Sequence, residues 1–302
     1  MPMMERRTIA WTGILLLLAA CGGAPEQEKE VRSERFVVGG EDASELAEKL
    51  YQMPTPNELF VLVRQMAGEG QMRMMSDARK ADRFVTLEKR AANFGIYATD
   101  LVYASYFKLQ VEVVRYYLTV KKLGDQLGLA SAFPDKDRTR LESNLAHGDS
   151  LEVISNEAYF RAYQKMQDEE MGPVLALVLA GGWVESMHLV MEQIHHYDPA
   201  DPLVQRIAEQ KVSLEHLLDM MEHLKEDSDL SNIRERLIAI RSIYDGLDVR
   251  RIPHQGATGS GRMVLGEDVH IDLTEAKYQE LVSAVEALRN YLTTPDDKAP
   301  TI

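Results

Sequence analysis

Residues 173–184 read PVLALVLAGGWV, the most apolar run in the body of the chain. It is apolar on every side, so it is expected to be a helix buried at the centre of a fold. Gly172-Pro173 opens it, with proline at the first helical position. A membrane-spanning reading fails on length: Glu185 interrupts after about a dozen residues, and a span needs about 20. Gly181-Gly182 costs helix stability, but it allows a kink or lets another backbone approach closely. A helix buried all round needs other helices to cover it, and the flanking sequence supplies them.

Between residues 43 and 293 the periodicity is overwhelmingly helical. Thr55-Pro56 reads as an N-cap and N1 pair, followed by Leu59, Val63 and Met66. Thr86 to Leu127 holds two apolar runs. Gly95, Ala98, Leu101, Val102 and Ala104 make the first, and Val113, Tyr116, Tyr117, Val120 and Leu123 make the second. A polar joint at Lys108–Gln110 separates them, so a helical hairpin is expected, ending at Gly128. Pro134-Asp135 starts a short polar helix to about Ala146, His147-Gly148-Asp149 makes a turn, and a helix runs on to about Gln167. After the central run, Asp201-Pro202 caps a helix with Leu203, Ile207, Leu214, Leu217 and Met221 on one face; Ile233, Leu237, Ile240 and Tyr244 mark the next. Glycines and Pro253 break the pattern over 248–272, where a short β-hairpin near residues 263–273 is expected. Thr274 caps a last helix to Thr293, and 294–302 reads as a disordered tail. The fold class is therefore all-α, a multi-helix bundle of antiparallel helical hairpins with roughly seven to nine helices.

The chain has 302 residues, 45% hydrophobic and 27% charged, with a formal charge of −14. Length alone suggests about two domains, but the pattern over 43–293 reads as a single helical domain. A wholly disordered or collagen-like chain is excluded. The acidic balance opposes phosphate backbones and anionic lipid heads, so no nucleic acid partner is expected. The one cysteine, Cys21, leaves no intrachain disulfide and no cysteine-based zinc site.

The first residues read MPMMERRTIAWTGILLLLAAC. Arg6 and Arg7 form a basic start, and Thr8–Ala20 is an apolar run of 13 residues, the length of a secretory h-region. Leu18-Ala19-Ala20-Cys21 resembles the lipobox of bacterial lipoproteins. That resemblance implies a signal peptide over 1–20 and lipidation of Cys21, whose several acyl chains hold stably where one holds marginally. Residues 21–42 then read as the lipidated cysteine and a flexible tether spanning roughly 25 Å. Loss of Glu5, Arg6 and Arg7 with the signal leaves the remaining chain at −15. Gly22 after the cysteine fits outer-membrane sorting, so the expected place is the envelope of a diderm bacterium, anchored to the outer membrane.

Glu185-x-x-His188 and Glu192-x-x-His195 each put a carboxylate and an imidazole on one helix face. Di-iron bundles use that unit, but on two different helices with further glutamates. Here one helix over 173–197 is expected to carry both. The candidate metal set is Glu185, His188, Glu192, His195 and Asp100, with Glu112, Glu215, His216, Glu222 and His223 as outside ligands. The competing expectation makes Glu185 a buried, hydrogen-bonded carboxylate and Glu192, His195 and His196 a polar helix end. The loop Gly256–Arg262 lacks the Lys-Ser/Thr of a phosphate loop and reads as surface. The Met-rich stretch 66–75 reads as loop and core filling rather than a soft-metal or binding surface. No nucleophile motif appears, so no catalytic residue is assigned.

Three segments, MPTPNELFVLVRQMAGEG, AANFGIYATDLVYASYF and LAGGWVESMHL, resemble a widespread all-helical lipoprotein family of diderm bacteria with no established activity. The resemblance covers most of residues 50–290. It implies that Asp100 and Glu185 are characteristic acidic positions in otherwise apolar helices, facing each other, binding a cation or capping backbone. The leading expectation is a lipid-anchored, non-catalytic binding or scaffolding module for an envelope protein partner. The alternatives are a metal-binding protein or metal-dependent enzyme, and a small-ligand binder with a pocket beside Gly181-Gly182.

Overall fold

The computed structural model describes residues 72–144, 148–224, 227–257 and 263–296. The signal, lipobox, tether and 43–71 expectations, the loop tip 258–262 and the tail 297–302 lie outside the described residues. Among the described residues, eight α-helices and one hairpin follow two short 3-10 turns, Met72–Met74 and Ala78–Arg83, with a third 3-10 turn at Ala130–Ala132. The helices are α1 (Leu87–Tyr106), α2 (Gln110–Gln126), α3 (Asp135–Ser143), α4 (Gly148–Asp168), α5 (Gly172–Met191), α6 (Pro202–Glu222), α7 (Ser228–Asp245) and α8 (Glu275–Thr293). Strands β1 (Asp248–Ala257) and β2 (Met263–Asp272) pair antiparallel, from Asp248 opposite Asp272 to Ala257 opposite Met263. The molecule is thus an all-α helical bundle with a hairpin, and the described residues all fall within one compact unit.

The central run does become the central helix. α5 packs against α1, α4, α6, α7 and α8, and its residues from Val174 to Met191 are buried apart from Gly182. By length and composition α5 is long and apolar enough to cross a membrane, but it lies inside the bundle. The closest approach is to α1. A Cβ on Gly181 would lie 2.0 Å from the Ala92 carbonyl oxygen, and one on Gly95 would lie 2.0 Å from that of Val178. Backbone meets backbone there.

Helix ends follow local chemistry. The Thr86 hydroxyl oxygen accepts from Lys89 N, Thr274 from Lys277 N, and the Asp201 carboxylate from Leu203 N. α1 ends where Lys108 adopts φ 57°, with Leu109 N donating to Ala104 O (2.8 Å) and Lys108 N to Ser105 O (3.1 Å). Gly128 (φ 83°) ends α2 and Glu170 (φ 53°) ends α4 in the same way. All three are Schellman closures.

Four expectations need correction. The hairpin is longer than its sequence suggested, because the whole of 248–257 forms its first strand opposite 263–272. Gly256 and Pro253 tolerate a two-stranded ribbon, where every strand is an edge. Order continues past Thr293: the Asp296 carboxylate accepts from Val85 N, Thr86 N and the Thr86 hydroxyl, so it covers the start of α1. Gly148 and Asp149 belong to α4 rather than to a turn, and α3 stops at Ser143. Finally, α5 ends at Met191, not near 197. Its last turn tightens, with Gln193 N donating to Val190 O and Ile194 N to Met191 O, before the Asp198–Asp201 turn redirects the chain.

Candidate functional site

That early end of α5 splits the expected metal set. Glu185 and His188 face inward, with Glu185 fully buried, whereas Glu192, His195 and His196 are exposed beyond the helix. Of the outside ligands the three glutamates are paired elsewhere, Glu112 with Arg115, Glu215 with Lys211 and Glu222 with Arg234, while His216 is half-buried and His223 exposed on α6 and its cap. Among the described residues no three His, Cys, Asp or Glu side chains converge as a metal would need. The Glu185 carboxylate is instead taken by a residue sequence reasoning did not single out. Arg289 of α8 donates to it twice, Nε to Oε2 at 2.7 Å and Nη2 to Oε1 at 2.8 Å. This is a bidentate pair between a fully buried carboxylate and a largely covered guanidinium.

Asp100 of α1, also fully buried, sits beside this pair. Its Oδ2 accepts from Ser76 N (3.0 Å), while its Oδ1 has no donor. Burial, then the Glu185 charge, pushes the Asp100 carboxyl well above the usual carboxylate range; Arg289 and the Ser76 amide oppose the shift without cancelling it. A proton on Asp100 turns two facing acceptors into a donor and an acceptor, and a hydrogen bond to Glu185 favours that form. For Arg289, burial works against the charge, but Glu185 and the neighbouring carboxylates hold the guanidinium above its ordinary value. The expectation that Glu185 is a hydrogen-bonded buried carboxylate therefore holds, and it shares a cluster with Asp100.

A strap of chain, residues 74–77, closes the cluster, and it is the part of the site that composition could not reveal. Met74 and Met75 are buried, so this end of the Met-rich stretch does fill core. The Met74 carbonyl accepts from His188 Nε2 (3.0 Å) and Arg289 Nη2 (3.4 Å). The Ser76 hydroxyl accepts from Arg289 Nη2 (2.9 Å) and donates to Glu185 Oε1 (3.4 Å). Tyr116 donates to the Ser76 carbonyl (2.5 Å) and Tyr97 to that of Asp77 (2.9 Å). Gln193, just past α5, reaches the Met74 sulfur at 3.0 Å. Tyr97 of α1 and Tyr116 of α2 therefore pack into the core and direct their hydroxyls to the strap. Comparison with protein-family models, with curated proteins and with solved structures returns no match.

The far side of the cluster is His188. Its Nδ1 faces the Glu286 carboxylate and its Nε2 faces the Met74 carbonyl. Both neighbours are hydrogen-bond acceptors. Burial raises the Glu286 carboxyl, but hydrogen bonding and charge from His188 outweigh it and lower the value overall. A further buried carboxylate, Asp137 in α3, takes donors from Arg140 (3.3 Å) and Arg161. It was hidden because its helix reads as wholly polar. Arg289 left a clearer trace: it falls four residues after Val285, on the buried stripe of Tyr278, Leu281, Val285, Leu288 and Leu292.

Proposed function

We propose that this chain is a lipid-anchored protein of a diderm envelope acting as a non-catalytic binding module, with its binding face where the strap crosses the bundle. One observation carries this reading. Apart from local bonds to the flanking 3-10 turns, the backbone of residues 74–77 is held by side chains. His188, Arg289, Asp100, Tyr116 and Tyr97 come from four helices, α5, α8, α1 and α2, and each addresses a main-chain group of the strap. Helical bundles build binding sites from side chains on facing helices in this manner. An extended segment recognised through its backbone is also a common mode of peptide recognition. The lipobox-like Leu18–Cys21 and the acidic balance of −14 support an anchored module whose partner is another protein.

In-cell crosslinking and co-purification of the tagged chain from its native envelope test this. The expected result is one stoichiometric protein partner with the wild type, and its loss from a Cys21→Ala chain that cannot be anchored. Recovery of the chain alone from wild-type envelopes overturns the reading.

A further inference from the structure

The start of α1 and the end of α8 cap each other. α8 ends at Thr293, and the last carbonyls of a helix have no amide partner within it. Side chains of α1 reach two of them: Lys89 Nζ donates to Tyr291 O, and the buried Asn93 donates through Nδ2 to Leu292 O at 2.8 Å. The chain beyond α8 reaches back the other way. Pro295 is buried, and Asp296 Oδ2 accepts from Val85 N (2.6 Å) and Thr86 N (3.2 Å). Tyr291 ties the same joint. Its hydroxyl donates to Glu88 at 2.7 Å, and its ring meets the Lys89 ammonium at 3.6 Å and the Arg236 guanidinium of α7 at 4.2 Å.

Arg289 lies one turn or less before these pinned carbonyls. Its guanidinium must meet both Glu185 oxygens and the Ser76 hydroxyl, at 2.7, 2.8 and 2.9 Å. The buried stripe Leu281, Val285, Leu288 and Leu292 fixes how deep α8 sits, but apolar burial is non-directional and leaves its position along the axis free. Hydrogen bonds are directional and set that position. Away from the cluster, the first turns of α8 carry one such contact to α5, Tyr278 to Met191 O at 3.5 Å. The strong ones are at the last turn. We propose that the clasp is a positioning device for the binding face: Lys89, Asn93 and Asp296 lock the end of α8 to the start of α1 and so place Arg289 against Glu185 and the strap. Residues 294–296 thereby serve that face from beyond the last helix. The consequence for partner capture rests on the binding-face reading; the placement of Arg289 does not.

Nitrogen-15 NMR of the full chain tests this through the Arg289 Nε–H, which donates to Glu185 and is identified as the side-chain signal missing from Arg289→Lys. Asp296→Ala and Asn93→Ala each remove one side of the clasp without touching Arg289. Each should speed hydrogen exchange of that Nε–H by about fivefold, the effect of one lost cap on a local equilibrium. Asp296→Asn keeps an acceptor for Val85 N and should stay near the wild-type rate. Asp201→Ala removes the corresponding cap from α6, away from the clasp, and should leave the rate unchanged. Exchange at the wild-type rate in Asp296→Ala overturns the proposal, and so does an equal acceleration in Asp201→Ala, which would reduce the effect to general loosening. Asp296 is half-buried, so its variant decides the matter even where Asn93→Ala fails to fold. Partner capture by the Asp296→Ala chain separates the two readings. Faster exchange with undiminished capture sinks the strap as the binding face and keeps the clasp, whereas a recovered partner with unchanged exchange sinks the clasp alone.

Discussion

Gly95 and Gly181 seat α1 and α5 so closely that each presses on the other helix's main chain. A Cβ on either would come within 2.0 Å of a carbonyl oxygen, on Val178 or Ala92, and neither oxygen can rotate away. Gly181→Ala should therefore destabilise by about 3 kcal/mol or more, as overpacking of a rigid core does. Gly182, one residue on, is the internal control. Its Cβ would meet the Thr99 hydroxyl oxygen at 3.4 Å, an ordinary contact. Gly182→Ala should be neutral or stabilise by up to about 1 kcal/mol through helix propensity. Urea midpoints of the two variants separate them, and equal midpoints would remove the crossing as the source of the constraint.

The Glu185–Arg289 pair predicts an asymmetry. Arg289→Met leaves a buried carboxylate without its partner and should cost about 3–5 kcal/mol. Glu185→Gln alone strands the guanidinium and should cost a similar amount. The double variant Glu185→Leu with Arg289→Met removes both charges and should recover much of that loss, since apolar pairs of similar volume often replace buried ion pairs without penalty. A double-mutant cycle with no coupling would mean that the two side chains act independently.

The same pair shows what could be read from sequence. PVLALVLAGGWV announced a buried helix, and α5 is that helix because a residue apolar on all faces has no other stable place. Asp100 and Glu185 were conspicuous as single charges in apolar runs. Their partners were not. Arg289 lies more than a hundred residues from Glu185, and Ser76 precedes α1 in a segment with no periodicity. Helical spacing reports which face of one helix is buried, not which helix that face meets. The error over Glu192 and His195 has the same origin: Glu-x-x-His spacing implies a shared face only while the helix lasts, and neither glycine nor proline marks the end of α5 at Met191.

Two of the three Schellman closures use a residue with a side chain where glycine is usual. Lys108 and Glu170 hold φ 57° and 53°, a conformation costing an L-residue about 1–2 kcal/mol. Lys108→Gly and Glu170→Gly should each stabilise by about 0.5–1 kcal/mol once the extra chain entropy of glycine, itself about 0.5–1 kcal/mol, is counted. Gly128→Ala, at φ 83° with open space around its Cβ, should destabilise through backbone strain alone. Thermal unfolding should show the first two moving up by about 2–4 °C and the third moving down.

Global stability should fall at both ends of the pH scale, for opposite reasons. The Asp100 carboxyl lies above its unfolded value, because burial and Glu185 disfavour its charge. Its contribution is therefore fully present below the unfolded value and is lost as pH rises through the folded one. Glu286 lies below its unfolded value, since the bond from His188 outweighs burial. Its contribution is present above the unfolded value and is lost as pH falls through the folded one. Each unit of displacement corresponds to about 1.4 kcal/mol. Asp100→Asn should flatten the alkaline limb and overtake the wild type there, while leaving the acid limb in place. Glu286→Gln should reduce the acid limb and leave the alkaline one. Urea unfolding across the pH range measures both, and an alkaline limb that persists in Asp100→Asn would assign it to another group.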